Sequence, residues 1–164
     1  MKKLYPFTVL VVATFVLVMP CMLAMAQEIR GTVLVGSQEI PAVSTAGVGL
    51  FVAQVFDSSI DMQTLIYASL EGSVTRAHIH LGQRGVAGAI LINICGEPST
   101  PTCPAPGTPL TRTLTAADVP GITTQGIPAG GIAEAIRMIR AGLTYANVHT
   151  SVSPAGEIRG QLEP

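Results

Sequence analysis

The sequence predicts a mainly β protein: an antiparallel β-sandwich with one short helix in a long connection. Seventeen Gly and 12 Pro among 164 residues supply turns along the whole chain. Short apolar and β-branched runs recur between those turns at roughly eight to twelve residues, the rhythm of a sandwich rather than of a helical bundle. Only Ile132 to Ala141 carries a helical period. At 48% hydrophobic and 12% charged, the chain is too apolar for a disordered polar tail.

Met1 to Ala26 reads as an export signal. Lys2 and Lys3 precede an apolar run from Leu4 to Leu23, and Ala24-Met25-Ala26 ends in a small-x-small processing pattern. Cleavage before Gln27 leaves residues 27–164 as one domain, secreted or periplasmic. The alternative is an uncleaved signal segment, the only route by which this chain would meet a membrane. A lipid anchor on Cys21 is disfavoured because Pro20 stands where a small residue is needed.

Glu28 to Val35 (EIRGTVLV) is a short β-branched strand, followed by the turn-rich GSQEIPAV. In Gly47 to Phe56, Val48, Leu50, Val52 and Val55 cannot share one face, so this strand is buried on both faces or bulged. Asp57-Ser58-Ser59 turns into Ile60 to Leu70, where Ile60, Met62, Thr64 and Ile66 alternate, and Glu71-Gly72 turns again. Thr75 to Leu81 (TRAHIHL) and the apolar run ending at Ile94 are the next two strands, with a Pro-rich loop after them. Thr115 caps a brief helical turn, with Asp118 three residues on. In the helix, Ile132, Ile136 and Ile139 form one buried stripe and Gly142 the C-terminal cap. Leu143 to Thr150 and Glu157 to Leu162 complete seven strands.

Without its signal the chain keeps two cysteines, Cys95 and Cys103, and an even count in an exported protein predicts a disulfide between them. Gly96 to Thr102 is all turn chemistry, so the bridge staples a loop to the end of a strand. The charge also shifts. Both lysines leave with the signal, so seven Arg face ten acids for a net −3, which excludes a nucleic-acid backbone as partner.

The three histidines are the candidate chemistry. Residues two apart on a strand share a face, so His78 and His80 stand about 7 Å apart at Cα while Ile79 points to the core. Tyr145, Asn147 and His149 share a face opposite Val148. If the two strands are neighbours, three imidazoles converge into one mononuclear Cu or Zn site, with water, Tyr145 or an acidic residue completing the shell. The other reading is that these histidines only hydrogen-bond to backbone and order loops. Glu28 with Arg30, and Glu157 with Arg159, read as a ladder of paired charges across neighbouring strands. Arg76 and Arg84 read as a solvated rim. No nucleophile elbow, P-loop or dinucleotide fingerprint is present.

GSQEIPAV, AHIHLGQRGVAGAILINI, LTAADV and YANVHTSVSPAGEIRGQL together resemble the chordin-type (CHRD) domain family, in that family's order and over essentially all of residues 27–164. The resemblance implies an extracytoplasmic β-sandwich, a kind of domain found as repeats in secreted growth-factor antagonists and in bacterial proteins. The implied fold is similar to the Greek-key-like sandwich of copper-zinc superoxide dismutase, where a His-x-His strand also supplies ligands; that likeness is one of fold alone. Three histidines are too few for a two-metal superoxide dismutase site.

Three functions remain in play. One is an exported binding module, not an enzyme, with a copper or zinc ion on His78, His80 and His149. Another is an extracytoplasmic protein-interaction or envelope scaffold domain without metal. The third is redox catalysis at a lone copper.

Overall fold

A computed structural model describes residues 28–163 of the chain. The segment read as an export signal lies outside these residues. Eight strands, β1 (Glu28–Val35), β2 (Val48–Val55), β3 (Ile60–Ala68), β4 (Val74–Leu81), β5 (Ala89–Cys95), β6 (Leu110–Leu114), β7 (Thr144–Thr150) and β8 (Ile158–Leu162), form an antiparallel sheet. One helix, α1 (Ile132–Arg140), lies in the long connection between β6 and β7. The mainly β expectation is met.

Strand order is β5-β4-β7-β8-β1-β2-β3-β6. The two four-strand halves meet through one ladder pair, Val35 with Arg159, so the sheet bends sharply there. Its far edges approach each other: Arg112 on β6 donates to the Ile94 carbonyl of β5 at 2.6 Å. The halves therefore enclose a single core, with Leu34, Phe51 and Met62 from one side and Ile79, Ile92 and Val148 from the other, all fully buried. Pooling both inner faces lets a chain of this size bury enough apolar surface to fold.

The eighth strand, β6, was expected to be loop. Its sequence LTRTL is short, and it becomes a strand by pairing as an edge with β3, where Leu114 meets Ile60 and Leu110 meets Leu65. The suspected bulge exists, but it lies in β3 rather than in β2. Val52 pairs with Thr64 and Ala53 with Met62, which leaves Gln63 unpaired. The extra residue reverses the facing of β3: Ile60 and Met62 point inward before it, Leu65 and Tyr67 after it. The strand therefore does not keep the Ile60, Met62, Thr64, Ile66 alternation. In β2 the inward residues are Phe51, Ala53 and Val55, while Val48 and Leu50 stay exposed beside Val33.

Local signals hold elsewhere. Thr115 donates its backbone N–H to the Asp118 carboxylate at 2.8 Å, capping a 3-10 turn. Helix α1 buries Ala135, Ile136 and Ile139. It ends with Ala141 as cap and Gly142 one step beyond at φ 70°, where Gly142 N–H reaches the Ile139 carbonyl and Leu143 N–H the Met138 carbonyl. That pair of bonds is a Schellman closure, which needs the left-handed residue Gly supplies. Arg140 ties the helix to Glu28 and Asp57, each at 2.8 Å. The Cys95–Cys103 disulfide is formed. Among the described residues no helix is long and apolar enough to cross a membrane.

Candidate metal centre

Strands β4, β7 and β8 have two different faces. One is apolar and feeds the core through Ala77, Ile79, Ala146, Val148 and Ile158. The other carries His78 and His80, then Tyr145, Asn147 and His149, then Arg159 and Gln161, and it too is buried. Pairing aligns them: His78 opposes Asn147, His80 opposes Tyr145, and Asn147 opposes Arg159. Loops cover this polar layer and supply partners to it: Gly88 to His80, Pro154 to His149, Glu97 to His78, Glu39 to Asn147, and Gly82 and Gly142 to Gln161.

The neighbouring-strand condition is met, and the three imidazoles converge. Their nearest ligating nitrogens all lie within 4.8 Å of one another. His78 Nδ1 stands 3.1 Å from His149 Nε2, and the His78 and His80 ring centres are 5.4 Å apart. The outward nitrogens decide the chemistry. His80 donates Nδ1–H to the Gly88 carbonyl and His149 donates Nδ1–H to the Pro154 carbonyl, both at 3.0 Å. His78 Nε2 lies 3.1 Å from Glu97 Oε1. Carbonyl and carboxylate oxygens only accept, so each ring places its proton outward and turns a lone pair inward.

The inward lone pairs lack protein donors. His80 Nε2 is buried with no partner, and the facing nitrogens of His78 and His149 have no proton to share in this tautomer set. A divalent cation resolves both problems, because tetrahedral bonds of zinc to imidazole place ligand nitrogens about 3.3 Å apart. Donating the second ring N–H to a carbonyl or carboxylate is also how metal-binding histidines are oriented. Burial keeps the rings neutral: it pushes His80 down to about 3 and His149 to about 4, and it lowers His78 against the opposing pull of Glu97. Neutral imidazole is the ligating form.

Tyr145 does not join the shell. Its ring lies parallel to His80 with centres 4.9 Å apart, and its hydroxyl accepts the Gly88 N–H at 3.0 Å. Glu97 likewise sits at the far nitrogen of His78, so neither residue fills the fourth position.

The expected ladder of paired charges is not formed. Glu28 pairs with Arg30 along its own strand at 2.6 Å. Glu157 accepts from Thr150 Oγ1, Thr45 Oγ1 and the Glu71 N–H at 2.6–2.7 Å. Burial alone would raise its pKa, but these bonds prevail and hold it below the ordinary value. Arg159 lies over Tyr145 and donates to the Val86 carbonyl at 2.8 Å and the Gln83 carbonyl at 3.3 Å. The physical reason is register: the strand residues opposite Arg159 are Asn147 and Val35, and Glu157 meets the Thr150 hydroxyl of β7, so neither charge faces an opposite charge on a neighbouring strand. At the rim, Arg84 pairs with Glu163 and Arg76 reaches Glu97 at 3.6 Å.

Two acids escaped the sequence reading. Glu97 enters from the disulfide loop, and its position two residues past Cys95 was the available signal. Glu39 enters from the segment after β1 and accepts from Asn147, whose own Oδ1 is buried without a partner. Burial pushes the Glu39 carboxyl up to about 7 against the pull of Arg159 and Asn147. No local pattern marks it beyond its place in GSQEIPAV.

Comparison with known proteins agrees with the sequence resemblance. No curated protein and no solved structure matches the chain. The model of the CHRD domain matches residues 30–162, nearly all that the structure describes, and the chain belongs to the CHRD domain family.

Proposed function

We propose that the protein is an exported binding domain that holds one Cu(II) or Zn(II) ion on His78 Nδ1, His80 Nε2 and His149 Nε2. One observation carries this reading. Three buried imidazoles converge, and every outward ring nitrogen meets an acceptor, which leaves three lone pairs facing inward. A disulfide fits the oxidising compartment that export implies. The near-complete burial of the rings favours holding a metal over turning over a bulky substrate.

Calorimetric titration of metal-stripped protein with Cu(II) and Zn(II) tests the proposal. Wild type is expected to bind one ion per chain, and His78→Gln, His80→Gln and His149→Gln each at least tenfold more weakly. No site tighter than about 10 μM in wild type would sink the metal reading. The protein-interaction reading would then stand, favoured by the exposed aliphatic residues Val33, Val48 and Leu50 on the outer face of β1 and β2.

A further inference from the structure

We propose that Glu97, held in place by the Cys95–Cys103 disulfide, is the positioning residue that commits His78 to bind metal through Nδ1, and that opening the disulfide weakens the site. The inference rests on the metal reading above and concerns how that site is controlled.

His78 is the one ring of the three whose outward partner is a mobile kind of group, a carboxylate side chain, rather than a backbone carbonyl. Its tautomer therefore depends on where that carboxylate is. With Glu97 at Nε2, the ring proton sits at Nε2 and Nδ1 is free to ligate. Without Glu97 the proton moves to Nδ1, which can then donate to His149 Nε2 at the observed 3.1 Å. That proton leaves Nδ1 without a lone pair to ligate with, and its hydrogen bond competes with a cation for the lone pair of His149 Nε2. Glu97 thus selects between an open and a self-satisfied pair of histidines.

Glu97 owes its position to its loop. Cys95 ends β5 opposite Ala77, next to His78 on β4. The chain then turns back, with Gly96 N–H on the Pro101 carbonyl at 2.8 Å and Glu97 N–H on Thr100 Oγ1 at 2.9 Å. Gly96 lies against β4 so closely, at φ 83°, that a Cβ would come 2.1 Å from the Thr75 carbonyl. The disulfide, closing a separation of eight residues, holds the return limb of this turn. Cys95 is buried and Cys103 only partly so, which directs an attacking thiolate to the Cys103 sulfur. With a dithiol as reductant, the S–S bond breaks, Cys95 and Cys103 become thiols, and the dithiol leaves as its own disulfide, a balanced two-electron, two-proton exchange. The return limb then keeps only hydrogen bonds, from the Tyr67 hydroxyl to the Pro104 carbonyl at 2.6 Å and within the turn itself, in place of a covalent tie to β5.

The test compares Cu(II) affinity in wild type, Glu97→Ala, Glu97→Gln and the Cys95→Ser/Cys103→Ser variant, all as the exported chain and checked for fold by circular dichroism. Serines replace chemical reduction because thiol reagents themselves bind copper. Glu97→Ala and the serine variant are each expected to weaken binding about tenfold or more, and Glu97→Gln, which keeps an acceptor oxygen, to restore most of the loss. Adding Glu97→Ala to the serine variant should cost nothing further, since both act through one contact. Nitrogen hyperfine structure in the Cu(II) electron paramagnetic resonance spectrum should drop from three imidazoles to two in Glu97→Ala. Wild-type affinity and three nitrogens in Glu97→Ala would overturn the inference while leaving the metal site standing. If the serine variant fails to fold, Glu97→Ala alone decides. If wild type binds no copper, this inference falls together with the metal reading.

Discussion

The guanidinium carbon of Arg159 lies 3.4 Å from the centre of the Tyr145 ring, and Tyr145 lies parallel to His80. The strand order β4-β7-β8 places these three groups in sequence across the polar face, so a cation, a phenol ring and an imidazole are stacked in one buried layer. Arg159 also anchors the β4–β5 connection through the Val86 and Gln83 carbonyls. The connection in turn presents Gly88 to His80. A residue on β8 thereby orients a candidate ligand two strands away.

Replacing Arg159 with Ala is expected to cost about 3 kcal/mol, from two charge-assisted bonds to carbonyls and one cation–π contact in a buried setting. Arg159→Lys should recover little, since a point charge cannot stack and fork at once. Urea denaturation of metal-free protein measures both; a loss under 1 kcal/mol for Arg159→Ala would count against the stacked layer.

Glu39→Gln is expected to stabilise the protein at pH 8 and to change little at pH 4. The carboxyl titrates near 7 in the folded protein, against an ordinary value of 4.5. Its contribution is therefore complete below about pH 4.5 and is lost as pH rises through 7. The gain at pH 8 should be about 1 to 3 kcal/mol, read from denaturation curves at the two pH values.

The histidines impose the opposite slope. With His80 near 3 and His149 near 4 when folded, against 6.5 when exposed, their contribution is complete above pH 6.5 and is lost as pH falls toward 4. Metal-free wild type should lose melting temperature over that window, and the double variant His80→Gln/His149→Gln should lose visibly less. Equal slopes for the two proteins would show that other groups govern the acid limb.

Gly88→Ala should be among the most damaging single substitutions. A Cβ at this position would lie 1.7 Å from the Leu81 carbonyl oxygen, so the backbone must move. Moving it separates the Gly88 carbonyl from His80 and its N–H from Tyr145. A destabilisation of about 3 kcal/mol is expected. Thermal melts check that value, and metal titration should show a parallel loss of affinity.

Much of this architecture was legible in local patterns. The parity of His78 and His80 against Ile79, and of Tyr145 and His149 against Val148, follows from the two-residue period of a strand, which needs no knowledge of neighbours. Gly142 marks its helix end, and Thr115 with Asp118 marks a capped turn, because those bonds span only a few residues. The bulge at Gln63 left no mark in β3, where Ile60, Met62, Thr64 and Ile66 keep a strand-like spacing, whereas β2, with apolar residues on both faces, alternates regularly.

What the sequence by itself determined is which side chains share a face and where the chain turns: the histidines on one side, the aliphatic core residues on the other, and Cys95 and Cys103 at the two ends of one turn-rich loop. Tertiary structure alone decided that β4 and β7 are adjacent, that β6 is a strand, and that Glu97 and Glu39 arrive from separate loops to complete the polar layer. The division has a physical cause. Facing and turning are set by backbone geometry over a few residues, whereas adjacency is chosen by the summed burial of both sheet halves around one core, a quantity that belongs to the whole chain and to no segment of it.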